Sequence, residues 1–179
     1  MIDIFEIREG KDRLKKMALA AMLAAIAVLL SGFSFPVGPS RCLPFQHAVN
    51  VIGGIVLGPW WAVGSALVSS SIRYLLGTGT ILAFPGSMFG ALAVGLTAGL
   101  LPRRHRLLAA IAEPVATSLL GAWVSSLIMM QAGQGAMFAM LSTAFFVSSF
   151  PGAVIGFLTL FSLAIAAKRE AARAVDSKR

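Results

Sequence analysis

Long apolar stretches alternate with short polar segments along almost the whole chain. A helix needs about 20 apolar residues to cross the roughly 30 Å hydrocarbon core of a bilayer. The pattern predicts six spans, near residues 17–33, 47–58, 59–76, 85–101, 107–130 and 141–167. A β-barrel would alternate apolar and polar residues instead. The predicted fold class is therefore all-α: a polytopic six-transmembrane-helix bundle, with residues 1–179 forming one transmembrane domain.

The boundary between the second and third spans is marked by Gly58-Pro59. Proline suits the first turn of a helix, where its missing N–H group costs nothing. We therefore expect a tight hairpin at this point. The alternative is five spans with one long kinked helix.

Two polar segments rich in Pro and Gly, residues 36–50 and 73–90, interrupt the apolar pattern where spans should end. Irregular backbone is tolerated at membrane depth only at the interface or around a protein-enclosed cavity, because lipid offers no hydrogen bonds. These segments carry Arg41, Gln46, His47, Asn50, Arg73, Thr78 and Thr80. They are typical of the lid and lining of a small-molecule pocket.

Three of these polar residues, Gln46, His47 and Asn50, share one helical face, because they are spaced by three and four. A polar side chain in a membrane helix is a site candidate by default, although solvation at the interface would also explain it. His47 is the expected hydrogen-bond partner of a heteroaromatic ligand, and Phe84 could stack on a flat ring. By helical rise, Arg73 lies about 21 Å above Pro59, where it either snorkels outward or meets a ligand.

Glu113 is the only carboxylate within a predicted span. Helical rise places it about 9 Å from the inner end of span five. We expect it to lie far from Arg73 and His47, and pairing with an arginine of the inner loop (103–106) is at least as plausible as a ligand contact.

Basic residues are distributed unevenly between the two ends of the spans. With the N-terminus inside, thirteen of the fifteen Lys and Arg residues fall in inner segments, and only Arg41 and Arg73 fall toward the outside. Positive charge on the cytoplasmic side is the rule for membrane proteins. Both termini are therefore expected in the cytoplasm, and topology rather than nucleic-acid binding explains the net charge of +8.

The remaining chemistry of the chain is sparse. A single cysteine, Cys42, excludes an internal disulfide. The sequence has two histidines, His47 and the loop residue His105, and they form no metal-binding pattern. We expect no metal and no cofactor. The chain lacks a phosphate-binding GxxxxGK[ST] motif, so any coupling to ATP must come from partner proteins.

Span one carries two pairs of alanines at four-residue spacing, Ala20 with Ala24 and Ala21 with Ala25. Small residues at this spacing give a smooth face that lets another helix approach closely. The face could serve a partner protein or packing within the chain.

Two sequence stretches, PVGPSRCLPFQHAVNVIGGIVLGPW (36–60) and RYLLGTGTILAFPGSMFGALAVG (73–95), carry a family resemblance. With the AxxxA face and the six-span layout, the chain resembles the substrate-binding S components of energy-coupling factor (ECF) transporters. It looks like the ThiW family, assigned to uptake of the thiamine precursor hydroxyethylthiazole.

The resemblance implies a prokaryotic plasma-membrane protein that binds its substrate from outside. A transmembrane coupling protein and two ATPases would then deliver the substrate inward. The implied docking residues are Ala20, Ala21, Ala24 and Ala25. The implied substrate-binding residues are Gln46, His47, Asn50, Arg73, Thr78, Thr80 and Phe84. A phosphorylated thiazole stays open as a ligand because Arg41 and Arg73 are present.

Two other functions are weighed against this one. The chain could be an S component for another vitamin or small heterocycle. It could also be an integral membrane enzyme acting on a lipid or prenyl substrate, but such chemistry needs paired acids or a nucleophile with a base. With Glu113 and His47 expected most of the bilayer apart, no catalytic activity is predicted.

Overall fold

The computed structural model describes residues 13–37, 40–133 and 137–176. Nearly all of this part is helical, in six segments. They are α1 (Arg13–Leu29), α2 (Pro44–Leu57), α3 (Pro59–Leu75), α4 (Ala83–Leu100), α5 (Arg103–Gln131) and α6 (Phe138–Asp176). A 3₁₀ turn, Leu30–Gly32, follows α1, and the short strands β1 (Phe35–Val37) and β2 (Ser40–Cys42) form an antiparallel hairpin before α2.

Four helical segments are long and apolar enough to cross a membrane. These are Arg13–Gly32, Ala83–Leu100, Arg103–Gln131 and Phe138–Asp176. The helix α2 is apolar but has only 14 residues, and α3 has 17, which corresponds to about 21 and 26 Å. An all-α membrane protein is thus confirmed, with the small hairpin as an addition. The count of six crossings and the cytoplasmic N-terminus stay predictions.

The short helix α2 lies in the centre of the bundle and packs against α1, α3, α4 and α6. Its apolar side chains Val51 and Ile55 join the main core with Val94 of α4 and Leu160 of α6. A Cβ at Gly54 would meet Val94, and one at Gly156 would meet Val51. Glycine is needed here because the helices approach too closely for a side chain.

The chain turns between α2 and α3 at Gly58, which has φ +88°. This left-handed conformation favours glycine, and Pro59 occupies the first position of α3. The structure therefore has two helices here rather than one long kinked helix.

The segment α5 is not a regular α-helix. It begins as a 3₁₀ helix over Arg103–Ile111, continues as an α-helix over Ala112–Ala116, and widens into a π-helix over Thr117–Gly121. A 3₁₀ helix rises about 2.0 Å per residue instead of 1.5 Å. Residues that follow the 3₁₀ part therefore lie deeper in the bundle than a regular helix would place them.

Candidate functional site

A cavity of about 20 Å³ lies between the β-hairpin, the start of α2, the turn joining α3 to α4, and α6. It is lined by Arg41, Leu43, Gln46, His47, Gly79, Thr80, Leu82, Ala83, Gly86, Phe145 and Ser148. This volume is enough for about one water molecule. A ligand the size of a substituted five-membered ring can therefore enter only if the surrounding segments shift.

The hairpin that covers one side of the cavity is attached to α6 by two contacts. The backbone N–H of Leu43 donates to Ser148 Oγ at 2.7 Å, and Cys42 Sγ lies 3.5 Å from the carbonyl oxygen of Ala144. Phe33 and Phe45 also meet edge to face, with ring centroids 5.8 Å apart. These few contacts hold the cover close to the cavity.

The turn on the other side of the cavity is set by the C-terminal end of α3. Gly77 has φ +69°, and the N–H groups of Thr78 and Gly77 donate to the carbonyls of Arg73 and Tyr74. This is the Schellman arrangement that ends many helices at a glycine. It folds residues 77–80 back over Arg73, which brings Gly79 and Thr80 to the cavity.

His47, which lines the cavity, contacts the carboxylate of Glu113 from α5. The distance between His47 Nδ1 and Glu113 Oε1 is 2.6 Å, and both side chains are buried. The other ring nitrogen, Nε2, has no hydrogen bond within the described residues and is not among the fully buried atoms that lack a partner. His47 can therefore offer Nε2 to the cavity.

Two further side chains complete the surroundings of Glu113. Asn50 Nδ2 and Thr117 Oγ1 each donate to Glu113 Oε1 at 3.2 Å. Asn50 also exchanges hydrogen bonds with Ser87 of α4, whose carbonyl and hydroxyl both accept from Nδ2. Helices α2, α4 and α5 are thus joined by one buried polar network.

Space for this network exists because α4 carries Gly90. A Cβ at Gly90 would collide with Glu113 Oε1 and with Thr117 Oγ1. The carboxylate can reach α2 only because no side chain stands in its way.

Gln46, which also lines the cavity, is backed by the fully buried Arg73. Arg73 Nη1 donates to Gln46 Oε1. Arg73 Nε and Nη2 have no partner among the described residues, and neither does Glu113 Oε2. Ionised groups in a membrane interior are costly unless paired, and they usually mark functional sites. Arg73 and Glu113 are therefore candidate site residues rather than parts of the scaffold alone.

The structure corrects the expectation for Glu113. The residue is fully buried and bonded to His47, Asn50 and Thr117, not paired with an arginine of the loop 103–106. The expectation of about 9 Å counted regular helical rise from residue 107. In the structure the segment starts at Arg103 with nine residues of 3₁₀ helix, which carry Glu113 about 18 Å from that end. The argument against a membrane enzyme from the separation of Glu113 and His47 is wrong for the same reason.

The other predicted substrate-binding residues divide by position. Gln46, His47 and Thr80 line the cavity, whereas Asn50 and Arg73 lie behind it. Thr78 bonds to the carbonyl of Arg73 and does not line the cavity. Phe84 meets Tyr74 edge to face at 6.2 Å and is likewise not a lining residue.

Several site residues were missed by reading the sequence. The aromatic side chain at the cavity is Phe145. Its ring lies against Gly86, where a Cβ would touch it. Ser87 and Thr117 belong to the polar network. The four-residue spacing of Glu113 and Thr117 was the one available signal, since it places both on the same helical face.

The four alanines assigned to partner docking also divide into two groups. Ala20 and Ala24 are buried within the chain, where α1 packs against α2 and α3. Ala21 and Ala25 are exposed. Only the second pair is accessible to another protein.

Apolar helices of membrane length around a buried polar cavity define a multi-pass membrane protein. The chain belongs to the ThiW family: the family model described as "Thiamine-precursor transporter protein (ThiW)" matches residues 17–166. This membership makes the protein a member of a transporter family, not an enzyme family, and its substrate a small molecule. Comparison with curated proteins found no match, and comparison with solved structures found none either.

Proposed function

We propose that this chain is the substrate-binding S component of an ECF-type importer and that its substrate is hydroxyethylthiazole. The observation that carries the proposal is the cavity lined by Gln46 and His47, placed at the hairpin end of the bundle. Membership of a thiamine-precursor transporter family supports a thiamine precursor as the ligand.

The polarity of the cavity suits a small ring that needs few hydrogen bonds. Gln46, His47 and Thr80 supply polar atoms, while Leu43, Leu82 and Phe145 supply apolar and aromatic surface. Ligand pockets generally combine apolar walls with a few placed polar groups. Hydroxyethylthiazole has one flat ring, one ring nitrogen and one hydroxyl group, which matches this division.

The proposed energising partners are a transmembrane coupling protein and two ATPases in the cytoplasm. The chain carries no nucleotide-binding motif of its own. The exposed alanines Ala21 and Ala25 offer a smooth helical face on α1 for the coupling protein. In this arrangement the protein resides in a prokaryotic plasma membrane, with both termini in the cytoplasm and the cavity facing outside.

A different vitamin precursor is the alternative ligand within the same class. The aminopyrimidine half of thiamine is the natural competitor, because its amino group could donate to His47 Nε2. A phosphate ester is the second competitor, since Arg41 lines the cavity and carries positive charge.

Isothermal titration calorimetry of the purified full chain tests the proposal. The ligands are hydroxyethylthiazole, its phosphate, the hydroxymethyl aminopyrimidine and thiamine. The three tryptophans do not line the cavity, so calorimetry is preferable to intrinsic fluorescence. Saturable binding of hydroxyethylthiazole with at least tenfold preference over the other three is expected, which is about 1.4 kcal/mol. Tighter binding of another ligand would reassign the substrate.

A further inference from the structure

Two buried charges lie behind the two polar side chains that face the cavity. Arg73 stands behind Gln46, and Glu113 stands behind His47. Both charged side chains are fully buried, and neither lines the cavity. Their hydrogen bonds therefore reach a ligand only through Gln46 and His47, which are neighbours in α2.

Arg73 determines which end of the Gln46 amide faces the cavity. Arginine has hydrogen-bond donors only, so the amide must turn its oxygen toward Arg73 Nη1. The amide nitrogen of Gln46, with two N–H donors, then remains for the cavity. This nitrogen is not among the fully buried atoms that lack a partner. Gln46 is thereby a donor to any ligand.

Glu113 determines which ring nitrogen of His47 carries the proton, and its effect is to make His47 an acceptor where Arg73 makes Gln46 a donor. Its Oε1 receives donors from Asn50 and Thr117 as well as contacting His47 Nδ1. An acceptor at this position favours the tautomer with the proton on Nδ1. In neutral histidine the remaining nitrogen, Nε2, then carries a lone pair. His47 is thereby an acceptor toward the cavity.

We propose that Arg73 and Glu113 are positioning residues that fix the hydrogen-bond polarity of the cavity, with Gln46 as donor and His47 as acceptor. This inference rests on the proposed function and adds a rule for ligand choice. The ligand must present an acceptor to Gln46 and a donor to His47. The ring nitrogen and the hydroxyl group of hydroxyethylthiazole meet this requirement.

The rule excludes a ring whose nitrogen carries an alkyl group. An N-alkylated thiazolium, the form of the ring within thiamine, has no lone pair on nitrogen and is positively charged. It would leave the N–H groups of Gln46 unpaired in a buried site beside the charge of Arg73. An unpaired buried donor lowers affinity by about tenfold or more. The site thus accepts the precursor ring and rejects the finished one.

The test compares hydroxyethylthiazole with its N-methyl thiazolium, which differs by one methyl group on nitrogen and by the positive charge that this group creates. Calorimetry on the wild-type chain should give at least about tenfold preference for the neutral ring. Equal binding of the two probes overturns this inference and leaves the proposed function intact. Failure to bind either probe overturns the proposed function, and the inference with it.

Variants of Gln46 and Arg73 test the polarity directly through the ratio of the two affinities. Gln46→Glu replaces the N–H donors by a carboxylate and should reverse the preference in favour of the thiazolium. Arg73→Met frees the amide to turn and should bring the ratio close to one, whereas Arg73→Lys keeps a donor and should keep the ratio. Should Arg73→Met fail to fold, the Gln46→Glu result decides. A wild-type ratio in Gln46→Glu overturns the inference.

Glu113 is tested with a second pair of probes, hydroxyethylthiazole and its O-methyl ether, which lacks the hydroxyl donor. The wild-type chain should prefer the alcohol by about tenfold. Glu113→Gln can donate to His47 Nδ1 and so permits the other tautomer, which should reduce this preference. A preference unchanged in Glu113→Gln overturns the role assigned to Glu113.

Discussion

His47 Nδ1 and Glu113 Oε1 lie 2.6 Å apart although 66 residues separate them along the chain. One residue lies on the short central helix α2 and the other on α5, just after its 3₁₀ part. Their contact joins a cavity-lining side chain to a buried charge. It also joins two helices that are separated along the chain by the whole of α3 and α4.

Replacing His47 should weaken ligand binding more than it weakens the fold. His47→Ala removes a side chain from the cavity wall and leaves Glu113 with its donors Asn50 and Thr117. We expect at least about a fivefold loss of hydroxyethylthiazole affinity by calorimetry, since one buried hydrogen bond is worth about 1 kcal/mol or more. His105→Ala, at the exposed start of α5, is the matched control. Equal affinities in the two variants would remove His47 from the site.

The glycine beneath Glu113 should tolerate no side chain. Gly90→Ala places a methyl group against Glu113 Oε1 and Thr117 Oγ1, so the carboxylate must move from His47. Overpacking of this kind costs about 1–3 kcal/mol. Both the thermal unfolding temperature in detergent and the ligand affinity should therefore fall. Gly99→Ala lies on the same helix in open space and should change neither. A stable Gly90→Ala variant with normal affinity would mean that the network adapts.

Two pairs of alanines on α1 should respond differently to leucine. Ala20→Leu and Ala24→Leu insert bulk between packed helices and should destabilise the isolated chain by about 1–3 kcal/mol. Ala21→Leu and Ala25→Leu lie on the exposed face and should leave stability and ligand binding unchanged. Ala21→Leu and Ala25→Leu should directly lower co-purification with the energising module and uptake into cells. Any such loss in Ala20→Leu or Ala24→Leu should follow from the loss of stability. If the exposed pair co-purifies normally, the docking face lies elsewhere.

Cys42, the single cysteine of the chain, reports on the hairpin cover. Burial raises the pKa of its thiol, partly offset by a hydrogen bond with Ser148. The thiolate is the reactive form, so a raised pKa means less thiolate at neutral pH and slower labelling by maleimide. The labelling rate of an ordinary thiol, with a pKa of about 8.5, levels off once the pH exceeds that value. The labelling rate of Cys42 should still rise at such a pH.

The control for this labelling is the same chain unfolded in sodium dodecyl sulfate, where the thiol is exposed. Labelling of the folded protein at neutral pH as fast as that of the unfolded chain would contradict a closed hairpin. In Ser148→Ala, Leu43 N–H loses its acceptor, which should speed labelling, whereas loss of the hydrogen bond that lowers the Cys42 pKa should slow it. Net acceleration would therefore identify the α6 contact as the attachment of the cover.

Local sequence signals predicted the features that depend on a few neighbouring residues. Apolar length predicted membrane helices, and Gly58-Pro59 predicted the turn between α2 and α3. The spacing of Gln46, His47 and Asn50 predicted a shared polar face, and the structure shows all three side chains buried. Each of these follows from chain geometry or from the cost of polar groups in an apolar environment, which any reader of the sequence can evaluate.

One error comes from the assumed start and regularity of the fifth span. Glu113 was placed near the inner end of span five, and its true depth depends on a 3₁₀ segment that composition does not announce. Phe84 was proposed to stack on a flat ring, whereas the aromatic residue that lines the cavity is Phe145, which α6 brings there from a distant part of the chain. Contacts between distant residues depend on helix register, which is set by packing.

The sequence by itself determined that this protein is a bundle of membrane helices, that polar residues gather at one end of it, and that its family is the thiamine-precursor transporters. These properties follow from composition, spacing and motif. Only the tertiary structure decided that Arg73 backs Gln46 and Glu113 backs His47. These hydrogen-bond partners of the buried charged groups lie on another helix of the bundle. Glycines such as Gly90 allow the helices to approach closely enough for these contacts, because a Cβ at that position would collide with the Glu113 side chain.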